Sequence, residues 1–147
     1  MKPEIGHVVL QVRSLHVSVP FYCSALGMRE RRRRKVNGRE MAFLTFGERD
    51  HDIGLVEVGT SAHPHDEARA GLRHVAFRIG DRIEELRVFK EHLDTVGIEP
   101  ERMTEHRFSK SIYLRDPDGL ELEVYVDFDS PALDAEGEKS RPLEVAP

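Results

Sequence analysis

The sequence contains a single cysteine, Cys23, in 147 residues. One cysteine cannot form a disulfide within the chain, and such sparse use is typical of proteins that stay in a reducing cytoplasm. The sequence also lacks any run approaching the ~20 consecutive apolar residues of a membrane-spanning helix, and its first residues lack the apolar core of a secretory signal. We therefore expect a cytoplasmic protein with no membrane partner.

An excess of positive charge is absent as well, since the formal net charge is -5 at pH 7. A general nucleic-acid binder needs a positive face for the phosphate backbone, so the composition argues against one. The basic run from Arg31 to Lys35 does not change this, because alternate arginines on a strand point to opposite faces and no aromatic residues lie between them. The expected partner is a small-molecule substrate.

The sequence contains an internal repeat. Three features recur in both halves at similar separations: a histidine that opens an apolar run (His7 and His74, 67 residues apart), a glycine that ends a helical pattern (Gly27 and Gly97, 70 apart) and a glutamate near a strand end (Glu57 and Glu123, 66 apart). Such self-similarity indicates one duplicated unit with small insertions.

The first copy has the pattern of a strand, a helix and three further strands. Ser18 is a candidate N-cap with Pro20 in the first helical turn, and Gly27 is a left-handed helix stop. Asn37-Gly38 is a strong signal for a tight hairpin turn. The predicted strands cover residues 7–12, 29–35, 41–47 and 52–58.

The second copy has the same order of elements. Asp81 as N-cap and Glu84 as third helical residue form an Asp version of the capping box. The predicted buried stripe of the helix consists of Ile83, Leu86, Phe89, Leu93 and Val96. Strands are expected near residues 74–79, 99–105, 111–115 and 120–126.

The predicted fold class is therefore α+β, with two βαβββ modules at about residues 4–60 and 71–127. A domain usually has about 150 residues, so a chain of this length has room for one. We therefore assign residues 1–127 to a single domain. Residues 128–147 are acidic, contain prolines and show no periodicity, which predicts a mobile tail.

Histidines and glutamates at matching positions of the two copies indicate a metal site, because surface positions have no reason to keep such a correspondence. We predict that His7, His74 and Glu123 form a facial triad with open positions, the arrangement associated with non-haem Fe(II). With Glu57 as a possible fourth ligand, the set is closer to a Lewis-acid site for zinc or nickel.

Several segments together resemble the vicinal oxygen chelate superfamily, which includes glyoxalase I, extradiol dioxygenases and the bleomycin resistance proteins. They are residues 7–12, Pro20-Phe21-Tyr22, Leu26-Gly27-Met28, the strand that begins with His74, and above all residues 113–123. The resemblance covers about residues 4–127. It implies a half-open, barrel-like sheet of two paired modules around one divalent metal, and we expect a homodimer.

Within the superfamily, residues 105–113 resemble single-barrel extradiol ring-cleavage dioxygenases. The resemblance implies that His106 is an acid–base residue and that Tyr113 is a hydrogen-bond donor to the bound substrate oxygen. These relatives commonly carry a glycine after the histidine and an asparagine after the Asp-Pro-Asp-Gly turn, where this chain has Arg107 and Leu120. The implied activity is cleavage of a catechol-like diol with Fe(II), and Mn is an alternative metal.

Two other functions are compatible with the same residues. One is a glyoxalase I-type isomerase or an epimerase, with Zn or Ni as the metal and Glu57 in the ligand set or acting as a base. The other is a binding protein that sequesters a drug or metabolite without chemistry. Members of that class can lose the metal ligands, whereas this chain keeps His7, His74 and Glu123.

Overall fold

The computed structural model describes residues 1–127 and 141–142, which form two units. Unit 1 consists of Met1–Asp66 with Asp116–Gly119, and unit 2 of Glu67–Arg115 with the described residues from Leu120 onward. Unit 1 contains β1 (Val8–Val12), α1 (Leu15–Leu26), β2 (Arg29–Val36), β3 (Arg39–Thr45) and β4 (Ile53–Glu57). Unit 2 contains β5 (His74–Gly80), α2 (Ile83–Thr95), β6 (Arg102–Glu105), β7 (Ser109–Arg115), β8 (Glu121–Asp127) and β9 (Arg141–Pro142).

The two units share one topology. In unit 1 the strand order is β1-β4-β3-β2, and in unit 2 it is β5-β8-β7-β6-β9. The first strand of each unit pairs in parallel with the last strand of its module, and the remaining pairs are antiparallel. The α+β class and the two βαβββ modules are therefore confirmed. None of the helices in the described part of the chain is long and apolar enough to cross a membrane.

The predicted tail, residues 128–147, lies outside the described residues apart from Arg141–Pro142. Those two residues form β9, which pairs with β6 and is the last strand of the sheet in unit 2.

Helix α1 begins one turn earlier than predicted. Its N-cap is Ser14 rather than Ser18, because the amide of Ser18 already donates to the carbonyl of Ser14 at 3.0 Å. The amide of Leu15 is satisfied by the carboxylate of Glu57 at 2.8 Å, so a distant side chain does what a local cap would do. Pro20 consequently lies inside the helix, on its exposed side, where water can satisfy the carbonyl that its missing N–H leaves free.

Helix α2 begins later than its capping pattern predicted. The N-cap is Arg82, and Glu85 rather than Glu84 folds back to accept the amides of Asp81 and Arg82, both at 2.9 Å. Gly80 makes this possible, because a Cβ at that position would collide with the Glu85 carboxylate.

The apolar stripe of α2 is shorter than predicted. Leu86 and Leu93 are fully buried, whereas Ile83 and Phe89 are half-buried. Val96 is 37% exposed because the helix ends at Thr95.

Strand boundaries agree with the predicted ones to within a few residues. The Asn37-Gly38 hairpin turn is confirmed, with φ of 50° and 80° at the two positions, and it joins Val36 directly to Arg39. Strand β6 starts at Arg102 rather than near residue 99, since Pro100 has no N–H to donate to the ladder.

The Asp-Pro-Asp-Gly turn is built into the core of unit 1. The hydroxyl of Tyr22, which is fully buried, donates to Asp116 at 2.9 Å. The side chain of Asp118 accepts a hydrogen bond from the amide of Arg13 at 2.9 Å. Its backbone carbonyl accepts one from the amide of His65 at 2.7 Å. Burial, and then the charge of Asp116, hold the pKa of the Tyr22 hydroxyl well above its usual range, so this hydroxyl remains a donor.

Tyr22→Phe is expected to destabilise the protein by about 1.5–3 kcal/mol, the range for a hydrogen bond to a charged group, because Asp116 loses a buried donor. Chemical denaturation measures the effect. Tyr125→Phe is the control, since the Tyr125 hydroxyl makes no hydrogen bond within residues 1–127 and 141–142. Equal losses in the two variants would show that the Tyr22–Asp116 bond contributes no special stability.

Candidate functional site

One face of the sheet in unit 2 is polar. On β8, Leu122, Val124 and Val126 are buried on the side against which α2 packs. The alternate residues of β8 and their partners on β5, β6 and β7 share the opposite side. We call this side the polar face, and it carries His74, Arg102, Ser111, Tyr113, Glu121 and Glu123.

Glu123 lies at the centre of the polar face. Its Oε1 accepts hydrogen bonds from the hydroxyl of Ser111 at 2.6 Å and from that of Tyr113 at 3.0 Å. Its Oε2 lies 3.2 Å from Nε2 of His74. Because both hydroxyl groups bind the same oxygen, the other oxygen is directed to the histidine.

Tyr113 connects this carboxylate to His106. Nε2 of His106, which follows β6, lies 3.3 Å from the Tyr113 hydroxyl. Burial, and then the negative charge of Glu123, raise the pKa of the Tyr113 hydroxyl. At neutral pH the hydroxyl is therefore protonated and can donate a hydrogen bond. Of the predicted site residues, His74, His106, Tyr113 and Glu123 form one connected cluster.

Sequence reasoning missed the second carboxylate of the polar face. The Glu121 side chain is only 1% exposed, and its Oε2 accepts a hydrogen bond from Nη1 of Arg102 at 2.6 Å. Burial alone would raise its pKa, but hydrogen bonding to Arg102 and the nearby Arg73 and Arg115 lower it, so Glu121 is ionised. The signal for its position was the two-residue alternation that places Glu121 and Glu123 on one face.

His7 belongs to unit 1, whereas His74 and Glu123 belong to unit 2. It lies just before β1, is exposed, and has its ring centroid 4.4 Å from that of His51. Within the described residues, neither unit by itself holds three or more His, Cys, Asp or Glu side chains arranged to bind a metal ion. The triad of His7, His74 and Glu123 therefore stays a prediction.

The expected correspondence between Glu57 and Glu123 is wrong. With His7 and His74 as matching positions, Val9 corresponds to Ala76. Val9 pairs with Gly54 in unit 1, and Ala76 pairs with Glu123 in unit 2. The residue equivalent to Glu123 is therefore Gly54.

Glu57 lies on the side of its sheet opposite to that of Gly54. It shares this side with Ile53 and Leu55, which are four and two residues away on β4 and are buried where the sheet packs against α1. Its carboxylate accepts the amide of Leu15 at the start of that helix. The carboxylate thus already has a structural role, which the sequence repeat did not reveal.

Comparisons with known proteins agree with the resemblance seen in the sequence motifs. The family model of the Glyoxalase/Bleomycin resistance protein/Dioxygenase superfamily matches residues 4–124. Biphenyl-2,3-diol 1,2-dioxygenase 2 of Rhodococcus globerulus is 32% identical over 85% of this chain and 63% of that protein. The manganese-dependent 2,3-dihydroxybiphenyl 1,2-dioxygenase of Geobacillus genomosp. 3 is 29% identical over 94% of this chain and 41% of that protein.

The chain thus spans less than two thirds of the length of these two relatives. Among solved structures, the glyoxylase/bleomycin resistance protein/dioxygenase domain from Frankia sp. EAN1pec is similar with a TM-score of 0.74 and 26% identity. That match covers 86% of this chain and 99% of the Frankia domain.

Proposed function

This chain belongs to the glyoxalase/bleomycin resistance protein/dioxygenase superfamily, as its sequence motifs predicted, and on that premise we propose that it is a metal-dependent extradiol dioxygenase that cleaves a catechol-like diol. The observation that carries the proposal is the cluster of His74, Glu123 and Tyr113 on the polar face, with His106 within 3.3 Å of the Tyr113 hydroxyl. It combines two metal-ligating side chains with a hydroxyl donor and an imidazole. The two curated relatives compared above are both named as diol dioxygenases.

The donor atoms on the polar face fit a divalent metal. Nε2 of His74 and Oε2 of Glu123 are 3.2 Å apart, close to the ~3 Å that separates neighbouring ligands each about 2.1 Å from one ion. We propose His7 as the third ligand, with Fe(II) as the metal and Mn(II) as the alternative. When bound by two histidines and one carboxylate, such a metal supplies open positions for the diol and for oxygen.

The residues around Glu123 hold it in a form suited to a metal ligand. Ser111 and Tyr113 both donate to Oε1, which fixes the plane of the carboxylate and leaves Oε2 beside His74. Such supporting hydrogen bonds orient ligands and tune their basicity.

Tyr113 and His106 supply the proton chemistry of the proposed reaction. A diol oxygen within reach of the Tyr113 hydroxyl would receive its hydrogen bond, because the raised pKa of Tyr113 keeps that group protonated. His106, 3.3 Å from the same hydroxyl, can accept a proton from it or return one. The two side chains thus form a short relay that ends at the substrate.

The activity is tested by loading the protein anaerobically with Fe(II) or Mn(II) and offering a panel of catechols in air. We expect oxygen uptake measured with an electrode, together with a coloured ring-opened product. A metal-loaded protein that consumes no oxygen with any diol, but isomerises a hemithioacetal with nickel or zinc, would replace this function by the isomerase alternative.

Glu57→Gln separates the two enzyme classes. The amide oxygen of glutamine can still accept the Leu15 N–H, so we expect unchanged metal stoichiometry and affinity, measured by metal analysis and titration. Glu57→Ala removes the acceptor and should cost about 0.5–2 kcal/mol of stability, as for a lost helix cap. If the Gln variant folds normally but no longer binds metal, Glu57 is a ligand and the isomerase class is favoured.

A further inference from the structure

The guanidinium of Arg102 lies over the ring of Tyr113. The two residues are paired directly across β6 and β7, and the Cζ atom of Arg102 is 3.7 Å from the centroid of the tyrosine ring. A guanidinium over an aromatic face attracts the ring electrostatically and packs against it over a wide area. This contact leaves the hydroxyl of Tyr113 free for other partners.

The guanidinium of Arg102 is also hydrogen-bonded to the carboxylate of Glu121. Nη1 of Arg102 donates to the almost fully buried carboxylate at 2.6 Å, although the Arg102 side chain itself is 42% exposed. The same carboxylate has Arg73 at 3.8 Å and Arg115 at 3.5 Å. A buried, ionised anchor limits the rotamers of an arginine whose end would otherwise be mobile in water.

We propose that Arg102 is a positioning residue for Tyr113. The inference rests on the proposed function, in which Tyr113 donates to the substrate. In the structure the Tyr113 hydroxyl is held by Glu123 at 3.0 Å, and donation to a substrate oxygen would weaken or replace that bond. The contact with Arg102 involves only the ring face, so it persists and keeps the hydroxyl aimed while its hydrogen-bond partner changes.

The first test measures the ring directly and needs no activity. The tyrosines, Tyr22, Tyr113 and Tyr125, are replaced by 3-fluorotyrosine, and the 19F resonance that disappears in Tyr113→Phe is assigned to Tyr113. We expect Arg102→Gln to shift and broaden that resonance and to leave the other two unchanged. Arg102→Lys should have an intermediate effect, because lysine keeps the charge but not the planar stack.

Arg73→Gln is the matched control for this measurement. Arg73 also pairs with Glu121, but within the described residues it makes no ring contact with Tyr113. An unchanged Tyr113 resonance in Arg102→Gln, or an equal change in Arg73→Gln, would overturn the inference.

The second test is kinetic. Arg102→Gln should lower kcat about 10-fold through misplacement of the tyrosine hydroxyl, with metal affinity close to that of the parent. Its Tm should be lower, because the buried carboxylate of Glu121 loses its charged donor. In a Tyr113→Phe background the same substitution should have no further effect, since the hydroxyl that it positions is gone. Effects that multiply in the double variant would show that Arg102 acts by another route.

The two tests distinguish failure of the inference from failure of the proposed function. If the parent protein cleaves catechols and the two effects multiply, the positioning role is wrong and the function stands. If the parent cleaves no catechol, the function is wrong, and the 19F resonance alone decides whether Arg102 holds the ring. If Arg102→Gln does not fold, Arg102→Lys serves in both tests, and an Arg102→Lys protein identical to the parent in resonance and in kcat would contradict the stacking role.

Discussion

Glu123→Gln is expected to abolish metal binding and, with it, ring-cleavage turnover. The substitution keeps the size of the side chain but replaces an anionic ligand by a neutral amide. Loss of a residue that merely supports a ligand costs about 10–100-fold in metal affinity, so loss of the ligand itself should cost more than about 100-fold. Titration of the protein with Fe(II) or Mn(II) in the absence of oxygen measures the change.

Glu57→Gln is the control for this experiment. The sequence repeat had matched Glu57 with Glu123, but its carboxylate binds the amide of Leu15. The same chemical change should therefore leave metal affinity intact. A Glu123→Gln protein with the affinity of the parent would remove Glu123 from the ligand set, provided that circular dichroism shows both variants folded.

Tyr113→Phe is expected to lower kcat by about 10²–10⁴-fold, the usual contribution of a positioned acid–base group. Metal affinity should fall by no more than the roughly 10–100-fold that loss of a supporting group costs, because Ser111 still donates to Oε1 of Glu123. His106→Ala should also lower kcat, since in the proposed relay His106 would exchange a proton with the substrate through the Tyr113 hydroxyl, 3.3 Å away. Steady-state oxygen uptake with the best catechol of the panel provides the measurement.

Tyr125→Phe is the matched control, because Tyr125 lies on the same face of β8, two residues from Glu123. It should retain the turnover of the parent. If Tyr113→Phe turns over as fast as this control, the hydroxyl of Tyr113 takes no part in the reaction, and the relay with His106 is wrong.

The pH dependence of the Tyr113 step follows from the direction of its pKa shift. Burial and the charge of Glu123 raise that pKa, so the donor form predominates up to at least the ordinary phenol value of about 10. Ionisation of Tyr113 should therefore cause almost no loss of kcat below about pH 9. A fall in kcat well below about pH 9 that is absent in Tyr113→Phe would contradict the raised pKa of Tyr113.

Much of the fold was predictable because its signals are local. Gly27 predicted the end of α1, a 3.6-residue stripe marked α2, and Asn37-Gly38 identified a hairpin. The internal repeat then determined the order of elements. Boundaries shifted where a distant group competes with the local signal: Leu15 is capped by Glu57, which is 42 residues away.

The candidate site was predictable only in part. The sequence by itself determined the fold class, the family and a set of chemically suitable residues, because spacing and side-chain type are properties of the chain. The tertiary structure decided which of them meet. Strand register shows that Gly54, and not Glu57, is the equivalent of Glu123 in unit 1. Pairing of β6 with β7 brings Arg102 over the ring of Tyr113. The register of a strand depends on its pairing with segments far apart in the chain. A slip of one residue moves every side chain of the strand to the other face of the sheet, so no local pattern determines which face a residue occupies.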